Sequence, residues 1–125
     1  MTTLIIQNSQ HLAEKEEEIL ASRSMVLGFN LGTEKDRELL PLMRRMKECL
    51  VPIVCTINMD DPVRAMKTFL DAADLVNEVR LLRIPAKSLL HYGLKPYQRM
   101  VISVKQIAEK RGINVTDGND NLLSN

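Results

Sequence analysis

The chain has 125 residues, a formal net charge of +1 and 45% hydrophobic residues. That is enough for one domain with an ordinary core that needs neither disulfides nor metal. There is no Trp, only two Phe and two Tyr, but seven Met, so the expected core is aliphatic and methionine-rich, a packing that adapts easily and fixes geometry weakly. No apolar run approaches the ~20 residues of a membrane span, and Leu4-Ile5-Ile6 is too short for the apolar region of a secretory leader. The expectation is a soluble, cytoplasmic protein.

In chain order, residues 1–8 are a short start. From Ser9 the pattern turns helical: Leu12, Ile19 and Val26 recur every seven residues beside Ala13, Leu20 and Leu27. Glu14, Glu16, Glu17 and Glu18 fill the positions between, as a solvated acidic face or as the flank of a dimerising seam. Leu27-Gly28-Phe29-Asn30 reads as a tight turn. Thr33 is a candidate N-cap for a short helix over 34–39, and Pro41 opens a second helix with Leu42, Met43, Met46, Cys49 and Leu50 on its buried face.

Val51-Pro52-Ile53-Val54-Cys55-Thr56-Ile57 is rich in β-branched residues and reads as the one extended segment, with Pro52 at its edge or start. A lone strand needs a partner for its backbone groups, and the same segment of a second copy is the expected one. Asp61-Pro62 is a helix start, with Val63, Met66, Phe69, Leu70 and Ala73 along one side. Asp74 is read as capping a further helix carrying Leu75, Val76, Val79 and Leu82. A short helix over 86–92 ends at Gly93, and Pro96 opens the last one, with Tyr97, Met100, Val101, Val104, Ile107 and Ala108 on one face and Gly112 as its C-cap glycine. The expected fold is mainly α: a single helical domain over 1–112, one extended segment pairing across a dimer at about 51–57, a helix-turn-helix-like C-terminal half, and a flexible tail over 113–125.

Charge is unevenly distributed. The first 60 residues carry seven basic and nine acidic groups, whereas 80–111 holds eight cations against Glu109 alone, an asymmetry that speaks about partners. On the last helix Arg99, Ser103, Gln106 and Lys110 fall at i, i+4, i+7 and i+11 and share one polar face. Arg and Gln suit base edges and Lys suits phosphate. The expected DNA-contacting residues are Arg80, Arg83, Lys87, Arg99, Lys105, Gln106 and Lys110. The bland reading of the same stripe is an ordinary solvated helix face.

No enzyme is expected. The chain lacks a phosphate-binding P-loop, an H-E-x-x-H pair and a nucleophile elbow, and Asp60-Asp61 is better read as a helix cap than as an acid/base pair. Cys49 and Cys55 do not have zinc-site spacing, and His11 and His91 supply no matching ligands, so no metal and no cofactor is expected. The cysteines read as small buried hydrophobes.

Ala21-Ser22, Leu27-Gly28, Asn30, Leu40-Pro41, Met43 and Val54-Cys55 come in the order and nearly the spacing of the FlhD family, which the stretch from Ala21 to about Cys55 resembles. FlhD-type chains are the small helical subunits of the bacterial flagellar master activator. Similar subunits serve the activators of conjugative elements (the AcaD and SetD type), and the acidic run at 14–18 and the basic last helix look more like that branch. The resemblance implies a mainly α-helical homodimer, with the cysteine matching Cys55 near the dimer interface. It also implies assembly with a larger, zinc-containing FlhC-like subunit into a transcription activator that binds promoter DNA and recruits RNA polymerase. The expected dimer interface is Leu20, Val26, Leu27, Val54, Cys55 and Ile57. Two other readings stand beside it: an autonomous dimeric helix-turn-helix repressor, and a non-enzymatic adaptor or chaperone that ignores DNA.

Overall fold

In a computed structural model of the chain, which describes residues 2–33 and 36–117, the elements alternate between strand and helix. They are β1 (Thr2–Ile5), α1 (Ser9–Ala21), β2 (Met25–Leu31), a 3-10 turn (Asp36–Glu38), α2 (Leu40–Glu48), β3 (Ile53–Ile57), α3 (Pro62–Ala72), β4 (Glu78–Leu81), α4 (Ala86–Tyr92), α5 (Leu94–Arg111) and β5 (Asn114–Asp117). The five strands form one all-parallel sheet in the order β1-β2-β3-β4-β5. This is an α/β fold, and the mainly α expectation is corrected. So is the pairing across a dimer: β3 lies at the centre of the sheet, bonded on both sides within the chain by β2 and β4. Pro52 immediately precedes the strand, and its carbonyl accepts from Leu27 N–H at 3.0 Å.

The missed strands have physical explanations. In β2, Gly28 serves not as a turn glycine but as a place of close approach: a Cβ there would lie 2.5 Å from Ile5 Cδ1 of the neighbouring strand. In β4, Val79 and Leu81 are buried while Glu78 and Arg80 are not, a period of two that four residues are too few to separate from a helical stripe. β5 occupies the start of the expected tail; residues 118–125 lie outside the described residues, as do 34 and 35 at the start of the expected short helix.

Each strand in this order sits beside the previous one and runs parallel to it. With right-handed crossovers, every connecting helix therefore lands on the same face of the sheet. The core agrees. Leu27, Phe29, Leu31, Ile53, Cys55, Ile57, Val79 and Leu81 form one buried cluster with side chains of α1, α2, α3 and α5. Val54 is equally buried but stands outside that cluster, because alternate strand residues point to the other face. By register, that other face carries the rows Ile5–Gly28–Val54–Glu78–Asn114 and Asn30–Thr56–Arg80–Thr116. All-parallel sheets usually have helices on both faces; here α1, α2, α3 and α5, whose side chains enter the buried cluster, lie on one.

Candidate nucleic-acid interface

The outer surface of the helical layer is built from polar faces whose apolar sides are fixed by the core. In α2, Met43 and Met46 are buried, which turns Arg44 outward. In α3, Ala65, Thr68, Phe69 and Ala72 are buried, which leaves Arg64 and Lys67 exposed. In α5, Tyr97, Met100, Val101, Val104 and Ala108 are buried, so Arg99, Gln106 and Lys110 face solvent.

The start of α3 is firmly held. Asp61 Oδ1 accepts from the N–H groups of Val63 at 2.9 Å and Arg64 at 3.2 Å, and its Oδ2 accepts from the Tyr92 hydroxyl at 3.2 Å. Burial alone would push the Asp61 carboxyl up. The N–H bonds from Arg64 and Val63, the Tyr92 hydroxyl and the Arg64 charge together outweigh it and hold the group below the ordinary aspartate value. Asp36 is committed too: its Oδ2 accepts from Gly32 N–H and from Thr68 Oγ1, both at 3.0 Å. Tyr97, buried between α5 and the sheet, donates to Met59 O at 2.8 Å, and burial raises its hydroxyl above the usual tyrosine value.

Three clefts adjoin on this surface. A central one of about 410 Å³ lies at the carboxyl ends of β2 and β3 and is lined by Thr33, Asp36, Arg37, Asp61, Arg64, Lys67, Thr68 and Asp71 among others. A second, of about 430 Å³, shares Arg37 with it and adds Arg44 and Arg45. The third, also about 430 Å³, shares Lys67 and runs between α3 and α5, where Val63, Met66, Leu70 and Met100 make an apolar floor beside Arg99. The shared residues join Arg44, Arg37, Arg64, Lys67 and Arg99 into one track of cations, with Asp36, Asp61 and Asp71 also lining the central cleft and Glu48 the second. None of the five forms an ion pair among the described residues, whereas Arg45 is paired with Glu16 of α1.

A larger hollow of about 690 Å³ opens at the amino ends of the strands. Its cations are already engaged: Lys47 donates to the Asp74 carbonyl and Arg111 pairs with the Asp74 carboxylate. Among the described residues, no three His, Cys, Asp or Glu side chains converge as a metal-ligand set.

The expected DNA-contacting residues do not form one surface. Arg99, Gln106 and Lys110 share the exposed side of α5, as their spacing predicts, and Lys105 is exposed on a flank of the same helix. Arg83 follows β4 and Lys87 opens α4, both exposed. Arg80 is on the sheet face away from the helices and pairs with Glu78 at 3.3 Å. α4 and α5 do meet at Gly93, but α5 is the crossover helix between β4 and β5, so the helix-turn-helix-like half is corrected along with the fold class.

Of the expected interface residues, Leu27, Cys55 and Ile57 are core side chains with 0% exposure, fully occupied within the chain. Val54 and half-buried Val26 lie on the helix-free sheet face, and Leu20 is exposed on α1. Sequence reasoning missed Arg37, Arg64 and Lys67. Each has an outward position on a recognisable helix or turn, but only the cleft between the 3-10 turn and α3 brings them together.

No protein-family model matches the sequence, and no curated protein or solved structure matches it. No helix among the described residues is long and apolar enough to cross a membrane.

Proposed function

We propose that the chain is a non-catalytic, nucleic-acid-binding protein that holds the backbone of a duplex against the outer surface of its helices. The observation that carries this reading is the track Arg44–Arg37–Arg64–Lys67–Arg99, five cations on three adjoining clefts, none in a salt bridge among the described residues, with Arg64 in the field of the capping Asp61. Phosphate contacts supply most of the sequence-independent affinity of such proteins. Gln106 and Lys110 continue the basic side of α5 beyond Arg99.

A duplex fits better than a single strand. Single-strand binders stack successive bases on several exposed aromatic rings, but here Phe29, Phe69 and Tyr97 are buried, and of the Phe and Tyr rings Tyr92 alone is exposed, at 37%. A regulatory role in transcription and a larger zinc-containing partner rest on the sequence resemblance alone. The helical fold which that resemblance implied is not this fold, so neither enters the proposal. The central cleft, at the carboxyl ends of two parallel strands where small ligands commonly bind, favours a second reading: capture of a single small phosphorylated or carboxylated molecule.

Fluorescence anisotropy with a labelled duplex tests the first reading. The triple variant Arg37→Gln/Lys67→Gln/Arg99→Gln is expected to bind at least tenfold more weakly, and Arg80→Gln, on the other side of the sheet, to bind like the parent. Equal binding by the triple variant would remove the track from the account. No duplex binding, together with saturable binding of inorganic phosphate, would favour the second reading.

A further inference from the structure

We infer that a second copy of this chain extends the sheet, its β1 pairing in parallel with the β5 edge of the first copy. The strand order is a simple progression, each strand one place further along with its helix on the same face. The next member of the series would be a parallel strand followed by a helix on that face, and β1 and α1 of another copy supply that pair.

The backbone groups at both edges point the right way. Thr2 N–H donates to Ser24 O and Ile6 N–H to Gly28 O. Alternation along the strand therefore turns the Thr3 and Ile5 N–H groups outward. At the other edge Asn114 N–H donates inward to Asn77 O, so Val115 N–H is turned outward. Exposed edges are usually blunted by charge, proline or a bulge. The β1 edge, Thr2-Thr3-Leu4-Ile5, has no charge and no proline, and its four residues match the four of β5.

Charge selects the same arrangement. Extending the sheet places α1 of the second copy beside α5 of the first. Among the described residues, Glu14 and Glu17 on α1 stand outside the ion pairs that take up Glu16 (with Arg45) and Glu18 (with Lys15); on α5, Lys95 and Lys110 stand outside the pair that takes up Arg111 (with Asp74), and Arg99 lines the cleft toward α3. Opposite charge on the two end helices favours this head-to-tail contact and disfavours α1 against α1 or α5 against α5. The contact is heterologous, so copies add until the sheet closes into a ring or continues as a filament. Closure would turn the helix-free face inward and cover Ile5, Val26 and Val54.

Sedimentation over a hundredfold range of concentration tests this. The parent chain is expected to exceed the monomer mass, as a fixed multiple or as a growing series. Thr3→Pro removes one outward N–H and no inward bond, and is expected to run as a monomer with an unchanged circular dichroism spectrum. Should that variant not fold, Val115→Pro makes the same test at the other edge. Glu14→Lys/Glu17→Lys is expected to weaken association at least tenfold at low salt. A parent chain that stays monomeric overturns the proposal, as does association that survives both proline variants.

Discussion

The Tyr92 hydroxyl donates to Asp61 Oδ2 at 3.2 Å while the other oxygen of the same carboxylate caps α3. One side chain thus ties the end of α4 to the start of the helix that carries Arg64 and Lys67. Because the Asp61 carboxyl is held below its ordinary value, its contribution is fully present above the unfolded-state value of about 3.9 and is lost as pH falls through the lower folded value. Asp61→Ala should cost about 1 kcal/mol at neutral pH by loss of the cap. Urea midpoints should then fall less for the variant than for the parent between neutral pH and roughly pH 3.

Cys55 and Cys49 should differ sharply in reactivity. Burial in the core pushes the Cys55 thiol up to about 12, and its side chain has no exposure; Cys49, at the end of α2, is exposed. Thiolate is the reactive form. One thiol per chain should react with a colorimetric disulfide reagent in the native state and two in denaturant. A covalent bridge between copies through Cys55 is not expected without unfolding.

Gly32 and Gly112 both have positive φ, at +91° and +69°, but differ in room. A Cβ on Gly32 would lie 2.9 Å from the Asn58 carbonyl oxygen, whereas one on Gly112 would meet nothing within 4 Å. Gly112→Ala should cost about 1 kcal/mol, the penalty of a left-handed alanine. Gly32→Ala should cost more, about 2 to 4 kcal/mol, because backbone must also move. Chemical denaturation of the two variants checks the order.

Leu50 is the one described residue other than glycine with positive φ, at 62°, and its side chain is 90% exposed. It gains little from burial and bears left-handed strain at the end of α2. Leu50→Gly should therefore stabilise the chain by about 0.5 to 1 kcal/mol, read as a higher urea midpoint at unchanged slope.

What the sequence made legible was local. Asp61-Pro62 marks the start of α3 and Gly112 the end of α5, because caps and left-handed glycines act on their immediate neighbours. The stripe of Arg99, Gln106 and Lys110 is a helical periodicity and was also readable. The sheet was not. Three of its strands have four residues, and parallel partners such as Val54 and Glu78, or Ile5 and Gly28, stand 24 and 23 positions apart, so no short window contains a pair. Gly28 and Asn30 supplied turn residues inside a strand, and Val76 and Val79 supplied a helical spacing across the start of another. The basic track failed to appear for the same reason: Arg37, Lys67 and Arg99 meet only after three crossovers have stacked their helices on one face.

The most direct test of the nucleic-acid reading is the slope of log affinity against log salt for a duplex. Each phosphate contact made by a cation contributes about −0.9 to that slope. The account predicts that Arg37→Gln/Lys67→Gln/Arg99→Gln flattens the slope of the parent chain by about 2 to 3. Parallel lines for parent and variant would contradict it, because the three cations would then release no counterions on binding.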